Sequence, residues 1–154
     1  MVGDYIIRPM GREDIAGVME IEEETFPTPW NADLFLEEME REFSFPLVAA
    51  GPPGFSLGGY IIFWVVYDEC HILNIAVRSS MRRKGLGLLL MKRCESISLD
   101  RGAAHACLEV RERNEAAIEL YRKLGYRFMG LRQNYYVDTG ENAWVMIKSF
   151  PGEE

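Results

Sequence analysis

The sequence predicts a mixed α/β fold in a single domain, residues 1–150, followed by a short tail at 151–154. Three observations carry this. The chain has 154 residues, enough for one domain with a substantial core. Apolar runs of strand length, such as "YIIFWVVY" (Tyr60 to Tyr67), are bounded by turn residues. Between them lie longer segments whose apolar residues recur at helical spacing.

"YIIRPMG" (Tyr5 to Gly11) reads as a first strand interrupted by Pro9. In "REDIAGVMEIEEETF", Ile15, Val18, Met19 and Ile21 share one helical face. Glu22, Glu23 and Glu24 are read as a solvated face, with docking of a basic partner as the alternative. The prolines of "PTPWN" stop that helix. A second helix, "ADLFLEEMEREF", offers Leu34, Phe35, Met39 and Phe43 as its apolar side.

Three strands follow: "FPLVAA", then, after the "GPPG" turn, "GGYIIFWVVYDE" and "CHILNIAV". Asp68-Glu69 marks an antiparallel hairpin between the last two. Leu86, Leu90, Cys94 and Ile97 define a third helix, closed by Gly102. "AHACLEVRE" is the next strand. Asn114 then caps "EAAIELYRKL", and Gly125 ends it. "YRFMGLRQNYYV" and "AWVMIKSF" flank the "DTGEN" turn as a closing hairpin, and "PGEE" frays. The predicted order is β-α-α-β-β-β-α-β-α-β-β.

Composition narrows the function. A formal net charge of -7 disfavours nonspecific nucleic-acid binding, and no apolar run reaches membrane-span length. The N-terminus carries no charged segment leading into an apolar one, so no secretory signal is expected. The three cysteines and two histidines show no metal-ligand spacing, so no metal is expected. Buried free thiols suit a reducing compartment such as the cytoplasm.

Against this acidic background, Arg82, Arg83 and Lys84 run directly into Gly85, Leu86 and Gly87 at the start of a helix. Helix N-termini present unpaired N–H groups and the positive dipole end, and glycine lets a ligand approach the backbone. The spacing is neither a P-loop nor a dinucleotide fingerprint: the third glycine of the latter would fall at Leu90. From these residues alone, a surface basic turn and a phosphate site remain open.

"RRKGLG", following "LNIAV" and opening a helix, resembles the pyrophosphate loop of the GCN5-related N-acetyltransferases (GNAT family). "LEVRERNEAAIELYRKLGYR" resembles the other half of that family's acyl-CoA site. With "RQNYY", these segments are similar to the RimI-type branch, which acetylates the N-terminal alanine of a ribosomal protein. The resemblance implies a mostly antiparallel sheet whose central strands splay, with flanking helices and acetyl-CoA as co-substrate.

It also implies residue roles. Glu109 corresponds to the general base, and Tyr121 to the general acid that protonates the leaving thiolate. Ile75, Ala76, Val77, Arg82, Arg83, Lys84, Gly85, Leu86, Gly87, Asn114, Ala117 and Tyr121 would bind the cofactor. Phe26, Trp30, Asn134, Tyr135 and Tyr136 would meet the acceptor, a protein N-terminus. "FPTPW" is two residues longer than the usual Phe-Pro-Trp, which bears on the accepted residue. Direct attack in a ternary complex needs no cysteine nucleophile, and Cys107, alternating with Leu108, is expected to be buried. The alternatives are a small-amine or lysine acceptor, which the NYY segment disfavours, and a non-catalytic acyl-CoA-binding module, which Glu109 and Tyr121 disfavour. The oligomeric state is left open by the sequence.

Overall fold

A computed structural model describes residues 2–151; Met1 and the tail residues 152–154 lie outside the described residues. Strands β1 (Ile6–Pro9), β2 (Ser44–Ala50), β3 (Gly59–Val66), β4 (Glu69–Val77), β5 (His105–Arg111), β6 (Arg127–Tyr136) and β7 (Glu141–Ser149) form one sheet in the order β1-β2-β3-β4-β5-β7-β6. Helices α1 (Ile15–Thr25) and α2 (Ala32–Glu40) connect β1 to β2. Helix α3 (Leu86–Asp100) connects β4 to β5, and α4 (Glu115–Lys123) follows β5. The element order matches the one predicted. Among the described strands only β4 and β5 pair in parallel, as a strand–helix–strand crossover requires.

Alternation along β3 builds two cores. Ile61 and Phe63 face a cluster with Leu86, Leu90 and Cys94 of α3 and Tyr121 of α4. Tyr60 and Ile62 face another with Val18 and Ile21 of α1 and Phe35 of α2. Burial on both faces explains why β3 reads as a nearly unbroken apolar run. Gly102 and Gly125 end α3 and α4 at φ 90° and 97°, and the Asn114 side chain caps α4 by accepting from Ala117 N–H at 3.2 Å.

Three sequence expectations need correction. Glu22 is buried, 1% exposed, because three donors converge on its carboxylate inside the second core, whereas Glu23 and Glu24 are exposed. In α2, Leu34 is exposed and Phe43 falls beyond the helix end. Glu38 turns inward instead, because Trp64, Ser44 and Arg41 all donate to it. Cys107 is half-buried, with its thiol donating to Glu69 at 3.0 Å, while Cys70 and Cys94 are the buried thiols.

Candidate active site

The site begins with a fault in the sheet. β3 and β4 pair in register until Ile62↔Asn74, after which Phe63 pairs with Ile72, leaving Leu73 as an extra residue in β4. Such a bulge bends its strand. β4 and β5 pair only from Glu69↔His105 to Ile72↔Leu108, so the parallel ladder ends where the bulge begins. Beyond it the strands separate, and both gap walls lead into helix N-termini, α3 after β4 and α4 after β5.

Ladder phase decides what faces the gap. Arg78 N–H donates to Gly58 O at 2.7 Å, which makes Val77 and Gly59 a non-hydrogen-bonded pair. By alternation Ala76 exchanges bonds with Tyr60, and the N–H and C=O groups of Ile75 and Val77 turn away from β3 into the gap. The Val77 carbonyl accepts from Arg82 Nε at 3.0 Å, folding the basic loop back over the strand end.

At the head of α3, Gly85 has φ 88° and Arg83 φ 63°. That left-handed geometry suits glycine and aims successive N–H groups outward. The N-cap Gly85 makes no side-chain cap, so the first-turn N–H groups of the helix are left without a capping side chain. A Cβ on Gly87 would lie 3.3 Å from the Leu120 side chain of α4, which would have to give by a few tenths of an ångström, and in ordinary contact with Val77 at 3.7 Å. Arg82, Arg83 and Lys84 are exposed around the loop.

Glu109 lies on β5 just past the last parallel pair, in the opening of the gap. His71 Nε2 stands 3.0 Å from its Oε2 and 3.2 Å from its Oε1. The Tyr135 hydroxyl donates to Oε1 at 3.4 Å, and Arg132 lies 3.9 Å away. Burial pushes the Glu109 carboxyl up, but His71, Tyr135 and Arg132 outweigh it and hold the group below its ordinary value. Its hydrogen bond to the Glu109 carboxylate raises the His71 imidazole above its own ordinary value, against the opposing effect of burial.

Comparison with known proteins bears on this geometry. The sequence profile of the Acetyltransferase (GNAT) family matches residues 15–126. The chain belongs to this family. It is 38% identical over 141 residues to a Bacillus subtilis protein provisionally named a ribosomal protein bS18-alanine N-acetyltransferase, covering 91% of this chain and 92% of the relative. The Escherichia coli ribosomal protein bS18-alanine N-acetyltransferase is 34% identical over 139 residues, covering 90% and 91%. The crystal structure of the ribosomal-protein-S18-alanine N-acetyltransferase from Escherichia coli superposes with a TM-score of 0.85 at 32% identity, covering 97% of each chain. The protein is an N-acetyltransferase with the GNAT fold, and acetyl-CoA is its acetyl donor.

The GNAT gap fits that donor on its own features: the backbone of Ile75 and the N–H of Val77 turned into the gap, and an uncapped helix end beside a basic loop. Asn114 and Ala117 open α4 on the opposite wall. Tyr121, 5% exposed, sits one turn further along and packs edge-on against Tyr126, ring centroids 6.0 Å apart. Burial, with smaller effects of Tyr136 and Cys94, pushes its phenol well above the ordinary tyrosine value. The Cys107 thiol is likewise pushed up, chiefly by burial and then by Glu69, so it is no thiolate at neutral pH.

The acceptor candidates fall in two groups. Phe26 and Trp30 pack on the second core, with the Trp30 ring 5.1 Å from Phe35. Asn134 (φ 53°), Tyr135 and Tyr136 lie along the irregular end of β6, where the register with β7 slips between Arg132 and Tyr136. Tyr135 reaches Glu109. Tyr136 lies under the Arg111 guanidinium at 4.0 Å, and its phenol is pushed up to about 12, by burial above all. Thr28 donates to Asp138 at 3.1 Å and joins the two groups across the entrance.

His71 has no place in the sequence reading, and Glu22 appears there only as part of a solvated acidic face. His71 joins the site only through parallel pairing: it lies opposite Cys107, which sets it diagonally across from Glu109. That register is invisible in a single chain. Ala76 turns its backbone toward β3 and buries its side chain in the second core, so its backbone offers the gap no hydrogen bond.

Proposed function

We propose that this enzyme acetylates the N-terminal α-amine of a protein, a cytoplasmic ribosomal protein beginning with alanine, by direct attack in a ternary complex. The observation that carries the reading is the contact between Tyr135 and Glu109, which links the acceptor strand to the candidate base at the mouth of the gap. The names of the relatives at 34–38% identity support the same substrate class.

Bound acetyl-CoA supplies an acetyl group activated as a thioester. Arg82, Arg83, Lys84 and the backbone from Gly85 to Gly87 hold the pyrophosphate. The exposed edge at Ile75 and Val77 aligns the pantetheine arm and polarises the carbonyl, and Asn114 and Ala117 line the facing wall. Glu109, charged and hydrogen-bonded to His71, draws a proton from the attacking amine through water. An α-amine titrates near ~8, against ~10.4 for lysine, so a modest base suffices. Tyr121, protonated at every physiological pH, donates to the departing sulfur as charge builds there. Tyr135, Tyr136 and Asn134 meet the first peptide units, with Phe26 and Trp30 shaping the opposite side.

The test is acetyl-CoA consumption with a short peptide beginning Ala-Arg, beside the same peptide blocked at its N-terminus and carrying a free lysine. Turnover of the first alone is expected. Faster turnover of a small free amine than of the peptide would move the enzyme to a different acceptor class.

A further inference from the structure

Helix α1 stands between the acceptor loop and the strand that lines the gap, and its polar residues reach both. Glu20 pairs with Arg78 at 3.1 Å, Glu24 accepts from Ser79 N–H at 2.8 Å, and Thr25 accepts from Arg82 at 3.3 Å. Beneath these surface contacts lies Glu22, 1% exposed. Its Oε1 accepts from the Tyr60 hydroxyl of β3 and, at 2.9 Å, from Asn74 Nδ2 of β4. Its Oε2 accepts from the backbone N–H of Trp30 at 2.9 Å.

We propose that Glu22 is a positioning residue: its buried carboxylate fixes the acceptor loop, residues 26–30, against the bulged strand that carries the thioester. A charge this deep is tolerated only when its lone pairs are filled. The partners that fill them lie on two different parts of the reaction. Asn74 directly follows the bulge at Leu73 and directly precedes Ile75, whose backbone faces the gap. Trp30 ends the loop expected to shape the acceptor entrance, and its ring packs tilted against Phe35, which meets Tyr60 edge-on, 5.1 and then 5.6 Å between centroids. One carboxylate therefore sets the distance between amine and acetyl carbonyl without touching either.

This rests on the reading of residues 26–30 as part of the acceptor site. It turns on reach as opposed to charge. Glutamine keeps the reach: its oxygen accepts from Trp30, and its amide donates to Tyr60 after hydroxyl rotation and to Asn74 after an amide flip. Aspartate keeps the charge and loses the reach, so it cannot hold Trp30 and Asn74 together.

The experiment is steady-state acetylation of an Ala-Arg peptide by wild type, Glu22→Gln and Glu22→Asp, with hydrogen exchange at the Trp30 amide. Glu22→Gln is expected to keep the peptide KM within about threefold and the Trp30 amide protected. Glu22→Asp should raise peptide KM about tenfold or more and speed that amide's exchange, with the acetyl-CoA KM unchanged. A wild-type peptide KM in Glu22→Asp, or acetyl-CoA and peptide KM rising together, would overturn the role. If Glu22→Asp does not fold, Glu22→Gln decides: a folded variant with peptide KM raised about tenfold overturns it, and one near wild type upholds it. Should wild type acetylate no peptide, the acceptor reading fails, while Trp30 exchange in the variants still reports whether Glu22 holds the loop.

Discussion

The imidazole of His71 lies 3.0 Å from the Glu109 carboxylate across the end of the β4–β5 ladder, and each group holds the other in its charged form. Their opposite shifts give the pair a defined pH window. His71 is raised, so its contribution to stability is full below its unfolded value of about 6.5 and is lost as pH climbs through the higher folded value. Glu109 is lowered, so its contribution is present above the ordinary glutamate range and is lost as pH falls through the depressed value.

His71→Asn should therefore lower the melting temperature more at pH 5.5 than at pH 8.5. In wild type, the rate per unit of neutral amine should rise with pH through the raised His71 value, above about 6.5, as the imidazole loses its proton. In His71→Asn that rising limb should move to lower pH. A limb that stays in place would remove His71 from the proton path.

Glu109→Gln keeps the shape of the side chain and removes its basicity. Turnover should fall roughly 10²–10⁴-fold, the span typical of losing a positioned general base. Isothermal titration should find acetyl-CoA affinity unchanged, since Glu109 lies beyond the backbone edge expected to hold the pantetheine. Collapse of that affinity would make Glu109 structural.

Tyr121→Phe retains the ring packing against Tyr126 and deletes only the hydroxyl. The melting temperature should stay close to wild type while turnover drops about a hundredfold. Unchanged turnover would end its assignment as the donor to the leaving sulfur.

Gly85→Ala forces a side chain into φ 88° at the head of α3. A cost of roughly 1–2 kcal/mol is expected for the left-handed residue. Relief of that strain would turn the first N–H groups of α3 away from the gap. Acetyl-CoA KM should rise while peptide KM stays put, because the proposed acceptor residues belong to other elements.

Much of this was legible in the sequence because local signals fixed it. Helical spacing, proline stops and glycine ends placed the elements. Gly85 and Asn114 announced the two helix starts that flank the gap. Long-range register was not legible. His71 meets Glu109 only through parallel pairing across 38 positions. Glu22 reads as one member of a solvated acidic run until Tyr60, Asn74 and Trp30, from three separate segments, are brought onto it. Leu34 and Glu38 exchange their expected environments for a similar reason: Trp64 on β3 supplies a half-buried donor that α2 cannot reveal by itself.

The most direct test of the central claim is tandem mass spectrometry on one peptide that carries both a free N-terminal alanine and an internal lysine, after incubation with acetyl-CoA and the wild-type enzyme. Acetyl on the alanine nitrogen alone, slowed about a hundredfold or more by Glu109→Gln, is the predicted result. Acetyl on the lysine nitrogen, or acetylation of the alanine that persists at full rate in Glu109→Gln, would contradict it.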